Sequence, residues 1–138
     1  MDQQFSVREV AALLGVSDDT VRRWGESGRL PLTPAANGRL TADGVDLAGL
    51  AQELGAGSAL AEVFPASRAS ARNRITGVVT RVVKDGVMAQ VELQAGPFRI
   101  VSLISREAAD ELDLRPGVVA TASVKATNVT IETPENRA

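Results

Sequence analysis

The chain has 138 residues with 15 basic and 17 acidic side chains, and it contains neither cysteine nor histidine. Without cysteine there are no disulfide bonds or thiolate metal sites, and without histidine the commonest general base and transition-metal ligand are missing. A net charge of −2 gives no strongly basic footprint over the whole chain. No apolar run approaches membrane-spanning length and no signal-peptide pattern is present, so we expect a cytoplasmic protein without a membrane partner.

Two short helices joined by a tight turn are predicted near the N-terminus. The first begins at the capping box Ser6-Val7-Arg8-Glu9, in which the Ser6 hydroxyl accepts a hydrogen bond from the Glu9 amide. Gly15 follows the helix, as is typical of the left-handed residue that ends one. The apolar stripe that we expect to face the core consists of Val10, Leu13 and Leu14.

The second helix is predicted to begin after Ser17, whose side chain can cap it. Val21 and Trp24 are placed to face the first helix. The residues left on the free face are Thr20, Arg22 and Arg23. A short helix with Arg and Thr on its free face fits the major groove of DNA. The plain alternative is a solvated helix face, or one that contacts only phosphate and reads no sequence.

A turn and a third helix are predicted next. Asn37-Gly38-Arg39-Leu40 indicates a tight turn that presents Arg39. Thr41 is expected to cap a helix over residues 43–54, and Gly44 and Gly49 each weaken that helix by up to about 1 kcal/mol relative to Ala. The apolar residues of this helix are Val45, Leu47, Leu50 and Leu54.

Residues 55–69 are rich in Ala and Ser and predict a semi-flexible linker. A short helix containing Leu60, Val63 and Phe64, docked on either half of the chain, is the alternative.

The remaining sequence predicts short strands separated by turns. The expected strands cover residues 75–83, 87–93, 98–103, 118–125 and 128–132. In the second of them, one face is formed by Val87, Ala89, Val91 and Leu93. Ser105 is expected to cap a short helix whose inner side carries Ala108, Ala109 and Leu112. Five strands and one helix predict a small OB-like β-barrel.

Two strings at the ends of this half carry hydrogen-bond donors. Ser70-Ala71-Arg72-Asn73 brings a hydroxyl, a guanidinium and an amide, and Val124-Lys125-Ala126-Thr127 adds an ammonium and another hydroxyl. Together they can hold a small oxyanion without a metal cation. Taken singly, each side chain is most often only a solvated residue at a strand end. No catalytic cluster is visible, so an enzyme is the least expected class.

Residues 7–30 resemble the excisionase and MerR-like winged-helix family. The matching strings are Val7-Arg8-Glu9-Val10-Ala11, Leu14-Gly15-Val16-Ser17, Thr20-Val21-Arg22-Arg23-Trp24 and Gly28-Arg29-Leu30-Pro31. The resemblance implies a helix-turn-helix, a following wing and double-stranded DNA as the partner. The candidate DNA-binding residues are Ser17, Thr20, Arg22, Arg23 and Arg39.

Residues 69–133 resemble the molbindin family, which is also called molybdenum–pterin-binding or TOBE-type. The matching strings are Ser70-Ala71-Arg72-Asn73 with Gly77, Asp85-Gly86, Ile104-Ser105, Leu112-Asp113-Leu114 with Pro116-Gly117, and Val124-Lys125-Ala126-Thr127 with Val129. The resemblance implies a barrel that binds molybdate or tungstate between the subunits of a homo-oligomer, a dimer or a hexamer. The candidate oxyanion-binding residues are Ser70, Arg72, Ser105, Lys125, Ala126 and Thr127.

The sequence departs from the molbindin pattern at one position. Many members have Ser directly after the Lys, where this chain has Ala126. Losing one hydrogen bond to a charged ligand costs roughly 1.5–3 kcal/mol unless Thr127 or a water replaces it. The affinity, and the choice among molybdate, tungstate and sulfate, depend on that replacement.

The sequence therefore predicts an α+β protein with two domains. Residues 1–54 form a winged helix-turn-helix, 55–69 a linker, 70–133 an OB-like barrel with one short helix, and 134–138 a tail. The expected function is a transcriptional regulator that senses molybdate, or tungstate, and binds DNA. The alternatives are a molybdate storage or buffering protein and a ligand-independent DNA-binding oligomer.

Overall fold

A computed structural model describes residues 3–134. The chain divides into two compact units, Met1–Glu62 and Val63–Ala138. Of the expected tail, residues 135–138 lie outside the described residues. Between residues 3 and 134, no helix has both the length and the apolar character needed to cross a membrane.

The first unit combines helices with a small antiparallel sheet. Its elements are β1 (Gln4–Ser6), α1 (Val7–Leu14), α2 (Asp18–Ser27), β2 (Leu32–Pro34), β3 (Leu40–Asp43) and α3 (Gly44–Ala56), and α4 (Leu60–Val63) follows. The sheet has the order β1-β3-β2. Its buried core consists of Val10, Ala11, Val21, Leu30, Ala42, Leu47 and Leu50.

The predicted start and end of α1 are confirmed. The Glu9 amide donates to the Ser6 hydroxyl at 3.2 Å, and the Ser6 amide donates to Glu9 Oε1 at 2.9 Å. Gly15 ends the helix with a φ of 69°, in the left-handed region. The expected position of Leu13 is wrong, because its side chain is 63% exposed. Ala11 is buried in its place, since Val7 also packs on the core and moves the helix face shared by Val7, Val10 and Leu14 closer to Ala11 than to Leu13.

The predicted turn at Arg39 is the tip of a hairpin. The Ala35 amide donates to the Arg39 carbonyl at 2.7 Å, and Asn37 Oδ1 accepts from the Arg39 amide at 2.9 Å. This hairpin joins β2 to β3, and neither strand was expected from the sequence.

The capping residue expected for α3 is wrong. Thr41 lies in β3, where pairing with both β1 and β2 keeps its backbone extended. Asp43 caps α3 instead, because its Oδ2 accepts from the Val45 amide at 3.1 Å. Val45 is 68% exposed and does not join the core, whereas Leu47 and Leu50 do.

The second unit is built on an antiparallel sheet with the order β6-β5-β4-β7. Its elements are β4 (Asn73–Lys84), β5 (Met88–Ala95), β6 (Phe98–Ser105), α5 (Arg106–Glu111) and β7 (Val119–Val124), followed by a 3-10 turn (Ala126–Asn128). The N-terminal part of β4 pairs with β7, from Asn73↔Val124 to Val78↔Val119. The C-terminal part pairs with β5.

The sheet curls into an OB-like half-barrel rather than a closed one. Its two edge strands, β6 and β7, line the same aliphatic groove of about 470 Å³. The fifth strand expected over residues 128–132 is wrong, because the 3-10 turn after β7 directs the chain out of the sheet. Ile131, in that segment, is 87% exposed.

Two further expectations in this unit need correction. Ala89, Val91 and Leu93 are buried as predicted, but Val87 is 72% exposed because β5 begins only at Met88. Ala109 is buried on the inner side of α5, whereas Leu112 is 65% exposed at its C-terminal end.

Charged groups hold α5 against the β4–β5 turn. Lys84 Nζ lies 2.5 Å from Asp110 Oδ1, and Arg106 donates to the Asp85 carbonyl at 2.9 Å. The Lys84 hydrogen bond lowers the pKa of Asp110 below its ordinary value. Backbone amides of Met88 and Val87 likewise lower the pKa of Asp85.

We predict that Gly77→Ala destabilises the second unit by about 1–3 kcal/mol. A Cβ at Gly77 would lie 2.4 Å from the carbonyl oxygen of Gln94 on β5, which is backbone and cannot rotate away. Denaturant unfolding measures the loss. Gly86→Ala is the matched control, since a Cβ there meets nothing within 4 Å and should leave stability near wild type. Equal stability of the two variants would contradict the close approach of β4 and β5.

We also predict an acid-dependent contribution from Asp110. A carboxyl whose folded pKa is depressed stabilises the fold above its unfolded pKa, and this stabilisation is lost as the pH falls through the folded value. Asp110→Asn should therefore flatten the fall in stability below about pH 4. Denaturant midpoints measured over a pH series test this. Glu111→Gln is the control on the same helix. If stability fell with pH in Asp110→Asn as steeply as in wild type, the prediction would be contradicted.

Candidate functional site

The two donor strings converge at one end of the second unit's sheet. Asn73 and Val124 form the final pair of the β4–β7 ladder. Asn73 Nδ2 also donates to the Val124 carbonyl at 3.0 Å, which fixes the side chain across the pair. Ser70–Arg72 directly precede this pair and Lys125–Thr127 directly follow it. The fold thereby brings five of the six candidate oxyanion residues to the same place.

The donors at this end of the sheet are accessible. Ser70, Arg72 and Lys125 are exposed, and neither cation has an ion pair within residues 3–134. Lys125 is extended, with φ −63° and ψ 143°, and the chain then enters the 3-10 turn. The first amides of such a turn, those of Ala126 and Thr127, have no partner inside it. Hydroxyl, guanidinium, ammonium and amide donors therefore face solvent together.

Ser105 lies elsewhere in the unit. It pairs with Met88 at the start of β5, next to the Lys84↔Ala89 pair, so the 12 residues of β4 separate it from the Asn73↔Val124 pair. Its hydroxyl caps α5 by accepting from the Ala108 amide at 3.0 Å. The hydroxyl proton stays available for donation, because a hydroxyl has one donor and two acceptor positions. No hydrogen bond in the described part of the chain joins Ser105 to the other candidates.

The candidate DNA-binding residues of the first unit lie on α2 and on the hairpin tip. Ser17 caps α2 by accepting from the Thr20 amide at 3.1 Å. The Thr20 hydroxyl accepts from Arg23 at 3.1 Å, while Arg22 lies 3.4 Å from Asp19. Both arginines are exposed. The Ser17 and Thr20 side chains are thus engaged locally, whereas the arginines have solvent-facing donors left.

One shallow depression joins the two elements. Arg22 from α2 and Arg39 from the hairpin line it together with Arg8 and Asp18. Arg8 is not among the candidates taken from the sequence, because it is an interior position of a capping box. Its exposure on the first turn of α1 and its place beside Arg22 become visible only in the folded unit.

The candidate site offers hydrogen-bond donors for an anion rather than ligands for a metal cation. Within residues 3–134, no group of three or more carboxylates is placed to hold a metal ion. The cluster at the end of the β4–β7 ladder has the composition that a tetrahedral oxyanion requires, because such an anion offers only acceptors.

Comparison with known proteins gives the relationship of the second unit. The sequence model of the TOBE domain matches residues 69–131. Molybdenum-pterin-binding protein 2 of Clostridium pasteurianum is 43% identical over 63 residues, which are 45% of this chain and 93% of that protein. Molybdenum-pterin-binding protein MopB of Rhodobacter capsulatus is 37% identical over 68 residues, 49% of this chain and 25% of that protein.

One solved structure is also similar to the second unit. The cytoplasmic molybdate-binding protein ModG, in a form with molybdate bound, is 40% identical and shares 49% of each chain, with a TM-score of 0.47. The chain thus spans about half of ModG and a quarter of MopB. The two molybdenum-pterin-binding relatives are named as binding proteins, in agreement with the expectation that the chain is not an enzyme. Because it covers nearly all of a relative at 43% identity, the chain belongs to the TOBE-domain family of molybdenum-pterin-binding proteins.

Proposed function

We propose that the chain is a DNA-binding regulator that senses molybdate, or tungstate, through its second unit. The observation that carries the sensing half is the Asn73↔Val124 pair, which assembles Ser70–Arg72 and Lys125–Thr127 from strings 51 residues apart. Family membership supports the choice of oxyanion, since the relatives are named for molybdenum-pterin or molybdate binding.

The chemistry of the cluster fits a tetrahedral dianion. Arg72 and Lys125 offset its charge, and neither is neutralised by a carboxylate within residues 3–134. The Ser70 and Thr127 hydroxyls and the Ala126 amide supply neutral donors. A Ser at position 126 would add one hydroxyl donor, which this chain lacks. The hydroxyl of the neighbouring Thr127 is proposed to take its place.

The proposed oxyanion site is completed by a second copy of the chain. Ser105 lies at the far end of β4 from the other donors, so a second copy is needed to supply its hydroxyl. Both edges of the sheet, β6 and β7, are unpaired among the described residues, and the aliphatic groove between them is open. These features support a homo-oligomer, a dimer or a hexamer, in which ligand and assembly stabilise each other.

The first unit is proposed to be a winged helix-turn-helix over residues 1–54, joined through a linker at 55–69 to the oxyanion domain at 70–133. In this arrangement α2 enters the major groove of double-stranded DNA, and the β2–β3 hairpin is the wing that carries Arg39. Support comes from Arg22, Arg39 and Arg8, which line one depression. A symmetric oligomer would present two such helices to two half-sites.

A second function, molybdate storage, is favoured by one observation. Residues 1–62 contain five basic and nine acidic side chains, which is an unfavourable balance for binding a polyanion. Asp18 lines the depression that holds Arg22 and Arg39. In a storage protein the first unit would serve another purpose and its arginines would not contact DNA.

We predict that Arg72→Gln and Lys125→Gln each weaken molybdate binding about 10- to 100-fold, the loss of one charged hydrogen bond. Calorimetric titration with molybdate, with sulfate as the competing anion control, measures the change. Arg115→Gln is the matched variant, because Arg115 is an exposed arginine that pairs with Asp113 outside the cluster. Ala126→Ser should tighten binding by adding a donor. Wild-type affinity in both cluster variants would contradict the proposed site.

We predict that the double variant Arg22→Glu/Arg23→Glu loses duplex DNA binding but keeps its molybdate capacity. Reversed charge on the exposed face of α2 repels the phosphate backbone and leaves the second unit unaltered. Fluorescence anisotropy with a labelled duplex reports DNA binding, and calorimetry reports the oxyanion. A wild-type chain that binds molybdate but no duplex would point to storage, and undiminished DNA binding by the variant would contradict the role of α2.

A further inference from the structure

Basic residues in the second unit fall into two groups. From Val63 to Lys84 the chain carries five basic and no acidic side chains. Lys84, like Arg99, Arg106 and Arg115, has a carboxylate partner. The basic residues without an ion pair within residues 3–134 are Arg68, Arg72, Arg74, Arg81 and Lys125. Four of these five lie around the start of β4 and the end of β7, whereas Arg81 lies further along β4, opposite Glu92 of β5.

Strand alternation arranges part of this charge in a line. In the β4–β7 ladder Arg74 is opposite Ser123 and Thr76 is opposite Thr121. The two threonine hydroxyls are 2.8 Å apart, so their side chains share a face. Successive residues of a strand point to opposite sides, so every second residue continues the same face. On this face the ladder carries Arg74, Thr76, Thr121 and Ser123, and Arg72 and Lys125 lie just beyond its Asn73↔Val124 end. We call these six residues the donor row.

The donor row is longer than a single oxyanion requires. Positions two apart on a strand are separated by about 6.6 Å, so Arg74 and Thr76 are about that far apart along β4, and Arg72 lies beyond Arg74 outside the strand. Donors to one tetrahedral anion converge on a point, whereas these are spread along a line. No carboxylate belongs to the row. Arg, Lys, Ser and Thr side chains are those that contact DNA phosphates and set the position of a protein on a duplex.

We propose that the donor row contacts backbone phosphates of the DNA that the chain binds, and that molybdate competes with these phosphates for Arg72 and Lys125. The inference rests on the proposed function and specifies the direction in which molybdate changes DNA affinity. A dianion held by two of the three cations of the row removes them from DNA. Molybdate therefore lowers DNA affinity, and by reciprocity DNA lowers molybdate affinity.

The test measures the affinity of the full chain for a mixed-sequence duplex over a series of salt concentrations. Arg74→Gln removes a row cation that has no part in the oxyanion site. We expect severalfold weaker binding at low salt and a log–log salt slope about 0.9 shallower, as for one lost phosphate contact. The loss should be the same on a second, unrelated duplex, because phosphate contacts read no sequence. Arg115→Gln, which removes the same charge elsewhere, should match wild type.

Two further measurements test whether the charge of Arg74 is responsible and whether molybdate competes with DNA. Arg74 donates to the Ser67 hydroxyl at 3.2 Å, so Ser67→Ala removes that contact but keeps the charge, and it should bind DNA as wild type does. Saturating molybdate should weaken wild-type DNA binding and reduce its slope by about 1.8, whereas sulfate at equal ionic strength should not.

The outcomes distinguish this inference from the proposed function. If wild type binds duplex and the α2 variant does not, but Arg74→Gln equals Arg115→Gln, the donor row does not contact DNA and the inference is overturned. Stronger DNA binding in molybdate would overturn the competition. If wild type binds no duplex at all, the proposed regulatory function fails, and this inference fails with it.

Discussion

The antiparallel pairing of the first half of β4 with β7 is the constraint on which the second unit depends. It joins residues 51 positions apart and ends at Asn73↔Val124, where the Asn73 amide also bonds across the pair. A slip of one residue would turn Arg74 and Thr76 into the aliphatic interior and would expose Ile75. Burial of that interior therefore fixes the register, and the register fixes which donors meet at the end of the sheet.

The same strand underlies the proposal that one copy of the chain supplies only part of the oxyanion site. β4 bends from β7 to β5 along its length, so it forms the wall of a half-barrel and holds Ser105 at its other end. Closure of that half-barrel would need a partner for β6 and β7, both of which line the open groove. If an oxyanion draws donors from two copies, its binding free energy also stabilises the assembly.

Features set by local sequence could be predicted, and features set by distant pairing could not. The Ser6–Glu9 capping box and the left-handed Gly15 depend on neighbours within a few residues, and both are present. Residues 128–132 alternate like a strand, but a strand also needs a partner, and the described fold offers none. Thr41 failed as a cap because β1 and β2 hold it extended. For the site, the residue types were enough to predict which side chains could be donors. That these donors lie near opposite ends of β4 could be learned only from the strand pairing.

Diffraction from crystals of the full chain grown with tungstate would test the central claim most directly, because anomalous scattering locates the metal without assumptions. We predict a single tungsten position per site, within hydrogen-bonding reach of Arg72, Lys125 and the Thr127 turn, with Ser105 supplied by a second copy. A tungsten position remote from the Asn73↔Val124 pair, or none at saturating tungstate, would contradict the account.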